Sequence, residues 1–440
     1  MRQFITKTPK SINFALIGLL SWLPLLLMIP SKTAAQSSDS LRIDMVISEV
    51  LRHNDRLAAS RYMEQAAYAK IGQAGAWDDP MLMAGVVNLP TSFDFKEDMM
   101  TMKMIGLSQN IPYAGQKHFQ AKAARAEAQA ATQDKWGMEI NLVTAAKYAF
   151  FDLYYRDETI KELVRQHHLA EDILASTIAR LKTDQANQAD VAAAQAEQWR
   201  LESELLSARQ ESESARRTLY SLMGRLEMDS LPLALPPLSS IPPTSDEWLT
   251  FAENHYPPLQ KLNRQAQSYE FSASAANRMR WPMLGLSATY GFRAGMSWGK
   301  PSDMVGFQAN LTLPIFSGWQ QKNMASSMQS MKKSVEAESS QLRKDIDAAI
   351  ETLHSRALRL VESLRLYRER IMPADEQAYQ SGLAGYGANR IPFSSLLSYG
   401  QAIYRDRLTA NQIANVLART MAEIERYTTD PDSLNNIAGK

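Results

Sequence analysis

The stretch "IPYAGQK", Ile111 to Lys117, stands between a run that alternates like a β-strand and about a hundred residues patterned as helix. Upstream, Ile105, Leu107 and Ile111 alternate with Gly106, Ser108 and Asn110, which gives one apolar and one polar face. Pro112 cannot donate a ladder hydrogen bond and stops the strand. Downstream, no proline occurs before Pro232, and the glycines are Gly115, Gly137 and Gly224. A helix can therefore run to a break near Asp184–Asn187. About 70 residues at ~1.5 Å each make a rod of roughly 100 Å, which no ordinary globular domain contains.

The junction occurs twice. "LPIFSGWQQK" begins at Leu313, and Pro314 lies 202 residues after Pro112. The same offset carries His53 onto His255, Leu57 onto Leu259, Gln65 onto Gln267 and Pro80-Met81-Leu82 onto Pro282-Met283-Leu284. A fixed offset at the points where structure should change marks an internal duplication. The expected organisation is a leader over 1–35, a first repeat over 36–230 with a hairpin at 81–111, a Pro-rich strap over 231–245, a second repeat over 246–430 with a hairpin at 283–313, and a tail over 431–440. Each repeat reads as opening helix, hairpin, long helix and returning helix. The opening helices, 41–77 and 246–280, and the returning helices, about 190–225 and 392–427, are about half as long as the long ones. One of each stacked end to end would match a long rod, giving four antiparallel rods per chain. Pro257 and Pro258 should split the second opening helix, and Pro373 should kink the second long helix. The strap, "LPLALPPLSSIPPTS", is expected to lie extended across the waist of the bundle.

With 45% hydrophobic and 22% charged residues the composition is that of a folded chain. Arg2, Lys7 and Lys10 precede an apolar run from Ile12 to Ile29 and the small residues Thr33-Ala34-Ala35, the pattern of a secretory leader. A membrane anchor is the rival reading, but Pro24 interrupts the run. Loss of the leader takes the formal charge from +1 to −3, which gives no hint of nucleic-acid binding. The absence of cysteine excludes disulfides, thiolate metal sites and a lipidated N-terminal cysteine.

The four strand segments are about ten residues long, the length of a tilted membrane-crossing strand, with polar loops at one end. Val305, Phe307, Leu311 and Leu313 are assigned to the lipid side and Gln308 and Asn310 to the lumen. Four strands cannot close a barrel, and open edges are not tolerated in lipid, so the chain must oligomerise. Two copies supply eight strands and three supply twelve.

This order of elements, given twice, with strand ends "SQNIPYAGQK" and "LTLPIFSGWQ", resembles the TolC-like outer-membrane efflux family over essentially the whole mature chain. The junction residues that carry the likeness are Pro112 and Gly115 in the first repeat and Pro314-Ile315-Phe316-Ser317-Gly318 in the second. "IPYAGQK" and the "DPML" before the first hairpin are most similar to the heavy-metal branch. The resemblance implies a mainly α chain with a transmembrane β part. It implies a homotrimer whose twelve strands form one outer-membrane barrel, continued by an α-helical barrel through the periplasm. The partners it implies are outer-membrane lipid, a periplasmic adaptor and an inner-membrane pump of the RND or ABC type. The expected function is a passive exit duct that needs no cofactor, with metals, drugs or secreted proteins as the cargo. The resemblance further implies a periplasmic tip closed by inward coiling and lined by acidic residues after a glycine and a basic residue. Gly387 and Arg390 fit that pattern, whereas Ser395 and Ser398 stand where the carboxylates align. The first turn carries Asp184 and Asp190.

No catalytic constellation is visible: there is no HExxH, P-loop or dinucleotide fingerprint. Among the histidines, His53, His118, His167, His168, His255 and His354, the adjacent pair should diverge by about 100° on a helix and chelate poorly. The 22 methionines include Met81, Met83, Met99, Met100, Met102 and Met104 near the first hairpin. Their thioethers suit Cu(I), although gap filling accounts for methionine as well. The competing class is a periplasmic coiled-coil adaptor or scaffold, which would be recovered in the soluble periplasm. An enzyme ranks third.

Overall fold

The computed structural model describes residues 40–225, 232–235, 241, 244–295, 299, 301–431 and 433–434. The expected leader, most of the strap and residues 435–440 lie outside them. The first repeat comprises β1 (Leu41–Arg42), α1 (Ile43–His53), α2 (Asp55–Gly75), β2 (Met81–Val87), β3 (Met102–Ile111), α3 (Gln116–Leu181) and α4 (Gln188–Leu222). The second follows the same order: β4 (Leu233–Ala234), α5 (Asp246–His255), α6 (Pro257–Arg278), β5 (Met283–Arg293), β6 (Met304–Thr312), α7 (Gln320–Leu366), a π-turn (Tyr367–Ile371), α8 (Met372–Gly387) and α9 (Phe393–Thr428).

The expectation of an unbroken opening helix over 41–77 is corrected. The chain breaks at Asn54 as it does at Tyr256, its partner at the repeat offset. In the second repeat the cause is Pro257 at the start of α6. In the first it is a cap: the Asn54 side chain accepts the Arg56 N–H at 3.0 Å. The break turns α1 aside, so that Ile43, Val46, Ile47, Val50 and Leu51 are buried along one face. It also frees the start of α2 to meet the end of α4. Asn54 Nδ2 donates to the Leu222 carbonyl at 3.3 Å, and Gly224, with φ of 72°, closes the end of α4 against His53. In the second repeat Tyr256 at the head of α6 stacks near Tyr427 at the end of α9, with ring centroids 5.2 Å apart. The end-to-end rods expected from helix length are therefore built by these two joints.

The π-turn lies directly before Pro373. A proline there removes an N–H from the helical ladder and crowds the preceding turn, and the wider π-turn absorbs both defects. Where a kink is expected, the structure thus has a π-turn. In the first repeat α3 runs unbroken for 66 residues.

The four strands form one antiparallel sheet in the order β2-β3-β5-β6. The rods repeat that order. The α2/α4 rod packs on α3, α3 packs on the α6/α9 rod, and that rod packs on α7 and α8. Strand and rod thus continue each other, and the two edges of the sheet, β2 and β6, lie over the two edge rods. Tyr62 and Met63 on α2, Trp199 and Leu206 on α4, and Leu358 and Val361 on α7 remain exposed on those edge rods.

The principal core sits at the waist, where α1, the middle of α3, the ends of α4 and α7, and α9 bury Phe150, Leu153, Leu219, Ala357 and Ile424. Of the strap, Leu233 and Ile241 pack on this core, and Leu233 and Ala234 pair in parallel with Leu41 and Arg42.

Candidate functional site: strand faces, junctions and tip

The sheet register separates two faces. Val305, Phe307 and Leu311 stand level with Tyr290, Ala288 and Leu284, and these with Ile105, Leu107 and Ile111. Phe307 is 84% exposed, so this apolar face has no core beneath it. Its two polar members lie near its rims. Lys103 turns up to Phe95, 5.0 Å from the ring centroid, and Gln109 donates to the Asp78 carbonyl at 2.8 Å. The opposite face carries Gln308 and Asn310, joined by a 2.7 Å hydrogen bond, with Ser287, Thr289, Ser108 and Asn110.

At the first junction Gly115 caps α3 with φ of 90°, a left-handed conformation that side chains resist. Gln116 N–H donates to the Tyr113 carbonyl at 3.1 Å. The second junction uses a different turn: Ser317 N–H donates to the Pro314 carbonyl at 3.0 Å, and Gly318 keeps an ordinary φ. Exposed aromatics gather at this level, namely Trp77, Trp281, Phe316 and Trp319, with Tyr113 stacked on Trp281 at 5.3 Å. Such rings mark the rim of a membrane-spanning sheet. The tryptophans beside the prolines could have revealed this belt in the sequence.

At the other end, each long helix closes with a left-handed residue, Asp184 in the first turn and Asn389 in the second. Gln185 and Arg390 N–H groups reach back to the Arg180 and Gly385 carbonyls at 2.9 and 2.8 Å. Asp190 forms a capping box with Asn187 at the start of α4. Ser398 Oγ donates to the Ser395 carbonyl at 2.8 Å. Asp184, Asp190, Ser395 and Ser398 thus serve the helix ends, and Arg390 is exposed within the chain. The residue that joins the two turns is Arg180. Its guanidinium donates to the Gly387 carbonyl at 3.3 Å and to Asn389 Oδ1, and lies 4.4 Å from the centroid of the Tyr386 ring. Tyr386 in turn packs with Tyr379, Phe393, Leu396 and Ala194. Above the tip, Arg407 bridges Glu162 and Glu376 at 3.1 and 3.0 Å, tying α9 to α3 and α8.

His167 and His168 are less separate than adjacency suggests. Both face Glu171, with Nδ1 to carboxylate distances of 3.8 and 3.1 Å. At the waist, burial holds the Glu139 carboxyl above its ordinary range, opposed by Lys135 and Arg61 and reinforced by Glu64.

Residues 46–225 match the sequence model of a family described as "Outer membrane efflux protein". No curated protein matches the sequence. Solved structures extend the likeness over both repeats. The outer-membrane protein VceC of Vibrio cholerae superposes with a TM-score of 0.74 at 14% identity, over 88% of this chain and 96% of that one. The open state of the MtrE outer-membrane channel of Neisseria gonorrhoeae gives 0.74 at 16%, over 89% of both chains. CusC, described for its folding and transmembrane channel formation, gives 0.73 at 15%, over 88% of this chain and 92% of that one. The first repeat thus carries the sequence pattern of the outer-membrane efflux protein family, and the fold of these three solved proteins continues through the second.

Proposed function

We propose that three copies of this chain close edge to edge into one tube, a twelve-stranded barrel in the outer membrane continued by a helical barrel in the periplasm. The tube is a passive exit duct for cargo delivered by an inner-membrane pump, of the RND or ABC type, through a periplasmic adaptor. The observation that carries this reading is the coincidence of the edges. Strand order and rod order are the same, so joining β6 to the β2 of a second copy also brings the exposed residues of α7 against those of α2 and α4. Eight strands enclose only enough room for side chains, whereas twelve leave a lumen, which favours three copies over two. The small polar side chains of the inner face suit that lumen, and the outer face and its aromatic rim suit lipid. Recovery in the outer-membrane fraction as a trimer, with ion conductance in planar bilayers, is expected. Recovery in the soluble periplasm would overturn the duct in favour of a coiled-coil scaffold.

A further inference from the structure

Six methionines lie in the four strands: Met81, Met83, Met102, Met104, Met283 and Met304. The register puts all six on the polar face and none on the apolar one. Gap filling does not account for all of them. A methionine that fills a gap is buried, yet Met81 is 61% and Met304 43% exposed, among Gly, Ser, Thr, Asn and Gln. On the lipid side, by contrast, where an apolar side chain is solvated without cost, methionine is absent from the strands.

We propose that these thioethers form a ladder inside the barrel that passes soft monovalent cations, Cu(I) or Ag(I), towards the outside. The proposal rests on the tube reading, which turns the polar face inward. Thioether sulfur is a neutral, polarisable ligand suited to Cu(I) and poorly suited to hard divalent ions. No carboxylate shares the strand face with it, and the one charged residue there, Arg293, repels cations of every kind. Gly291 stands opposite both Met104 and Met304 in the ladder, and the Met102 sulfur lies 2.5 Å from where a Cβ on Gly291 would be. The missing side chain leaves a hollow that the Met102 thioether enters from the neighbouring strand, while the Met304 sulfur accepts from the Arg293 guanidinium. Met83, opposite Gly106, is diagonal to Met104 and continues the series. Met81 and Met283 lie at the helix-side end of their strands, opposite Ser108 and Thr312. Neutral ligands spread along the path bind weakly at each step, as conduction requires.

The test is single-channel recording of the assembled full-length protein in planar bilayers in potassium nitrate, with silver nitrate as the probe. The expected result is discrete, reversible blockades with Ag(I) and none with zinc nitrate. In the variant Met102→Leu/Met104→Leu/Met304→Leu the blockades should be lost, with the open conductance in potassium nitrate unchanged. Blockades that persist in this variant, that are absent from the unmodified protein, or that zinc produces equally, overturn the ladder while leaving the duct intact. Absence of any conductance in potassium nitrate overturns the duct and the ladder with it.

Discussion

Neighbouring residues in β6 lie on opposite faces of the sheet, which the proposed barrel turns to lipid and to the lumen. Phe307 stands level with Ala288 and Leu107 on the apolar face, and Gln308 with Ser287 and Ser108 on the other. Phe307→Arg should therefore cost about 2–4 kcal/mol near the bilayer midplane, and Gln308→Arg little. Trimer yield on semi-native gels checks this, and equal losses would refute the assignment of faces. Glu139 is a residue of a different kind, a carboxyl held in the waist with Oε2 unpartnered. Its folded value is raised above 4.5, chiefly by burial, so stability is lost as pH rises from about 4.5 through the folded value. Glu139→Gln should raise the melting temperature at pH 7, and the gain should vanish towards pH 4.5, where both states hold the proton. The strand face was legible from alternation. Glu139 was not, because in sequence it is one more acid on a charged helix and only packing shows which acids lose water.

At the scale of the element, the two repeats solve one geometric problem with different chemistry. Each opening segment must break so that a short helix turns to the waist while the longer one stacks on a returning helix. Pro257 announces the break in the second repeat. In the first, Asn54 does the same by capping, which the sequence states only as an Asn-Asp pair inside a helical pattern. Asn54 has two roles there, accepting from Arg56 and donating to the Leu222 carbonyl. Asn54→Ala should therefore cost about 1–2 kcal/mol of stability, measured as the shift in thermal dissociation of the trimer. Asn54→Asp retains the cap acceptor and should recover part of that loss. Full stability of the alanine variant would show that core packing alone sets the joint.

Over the whole molecule, the sheet and the rods share two open edges, and at the tip the turns of the two repeats are fastened by the Arg180 side chain. Duplication, rod length and junctions were readable because they depend on local pattern and on prolines at a fixed offset. The fastening was not, since Arg180 and its partners are separated by 207 and 209 positions and belong to different repeats. Arg180 in sequence is an ordinary basic residue in the last turn of a helix, where the dipole favours it. Arg390, beside the glycine-rich turn, has the setting of a tip residue but is exposed within the chain. A tip that opens must let the α3–α4 turn move apart from the α8–α9 turn, and the Arg180 contacts to Gly387, Asn389 and Tyr386 oppose that movement. Together they are worth about 2 kcal/mol, allowing for their partial exposure. Arg180→Ala should therefore raise single-channel conductance or leakage of a bulky antibiotic without lowering trimer yield, because the joints and the waist core lie far from the tip. Arg390→Ala is the control and should leave conductance unchanged within a chain. If Arg390→Ala opens the channel and Arg180→Ala does not, the closure is made between neighbouring copies, and the contact seen within one chain only shapes the turn.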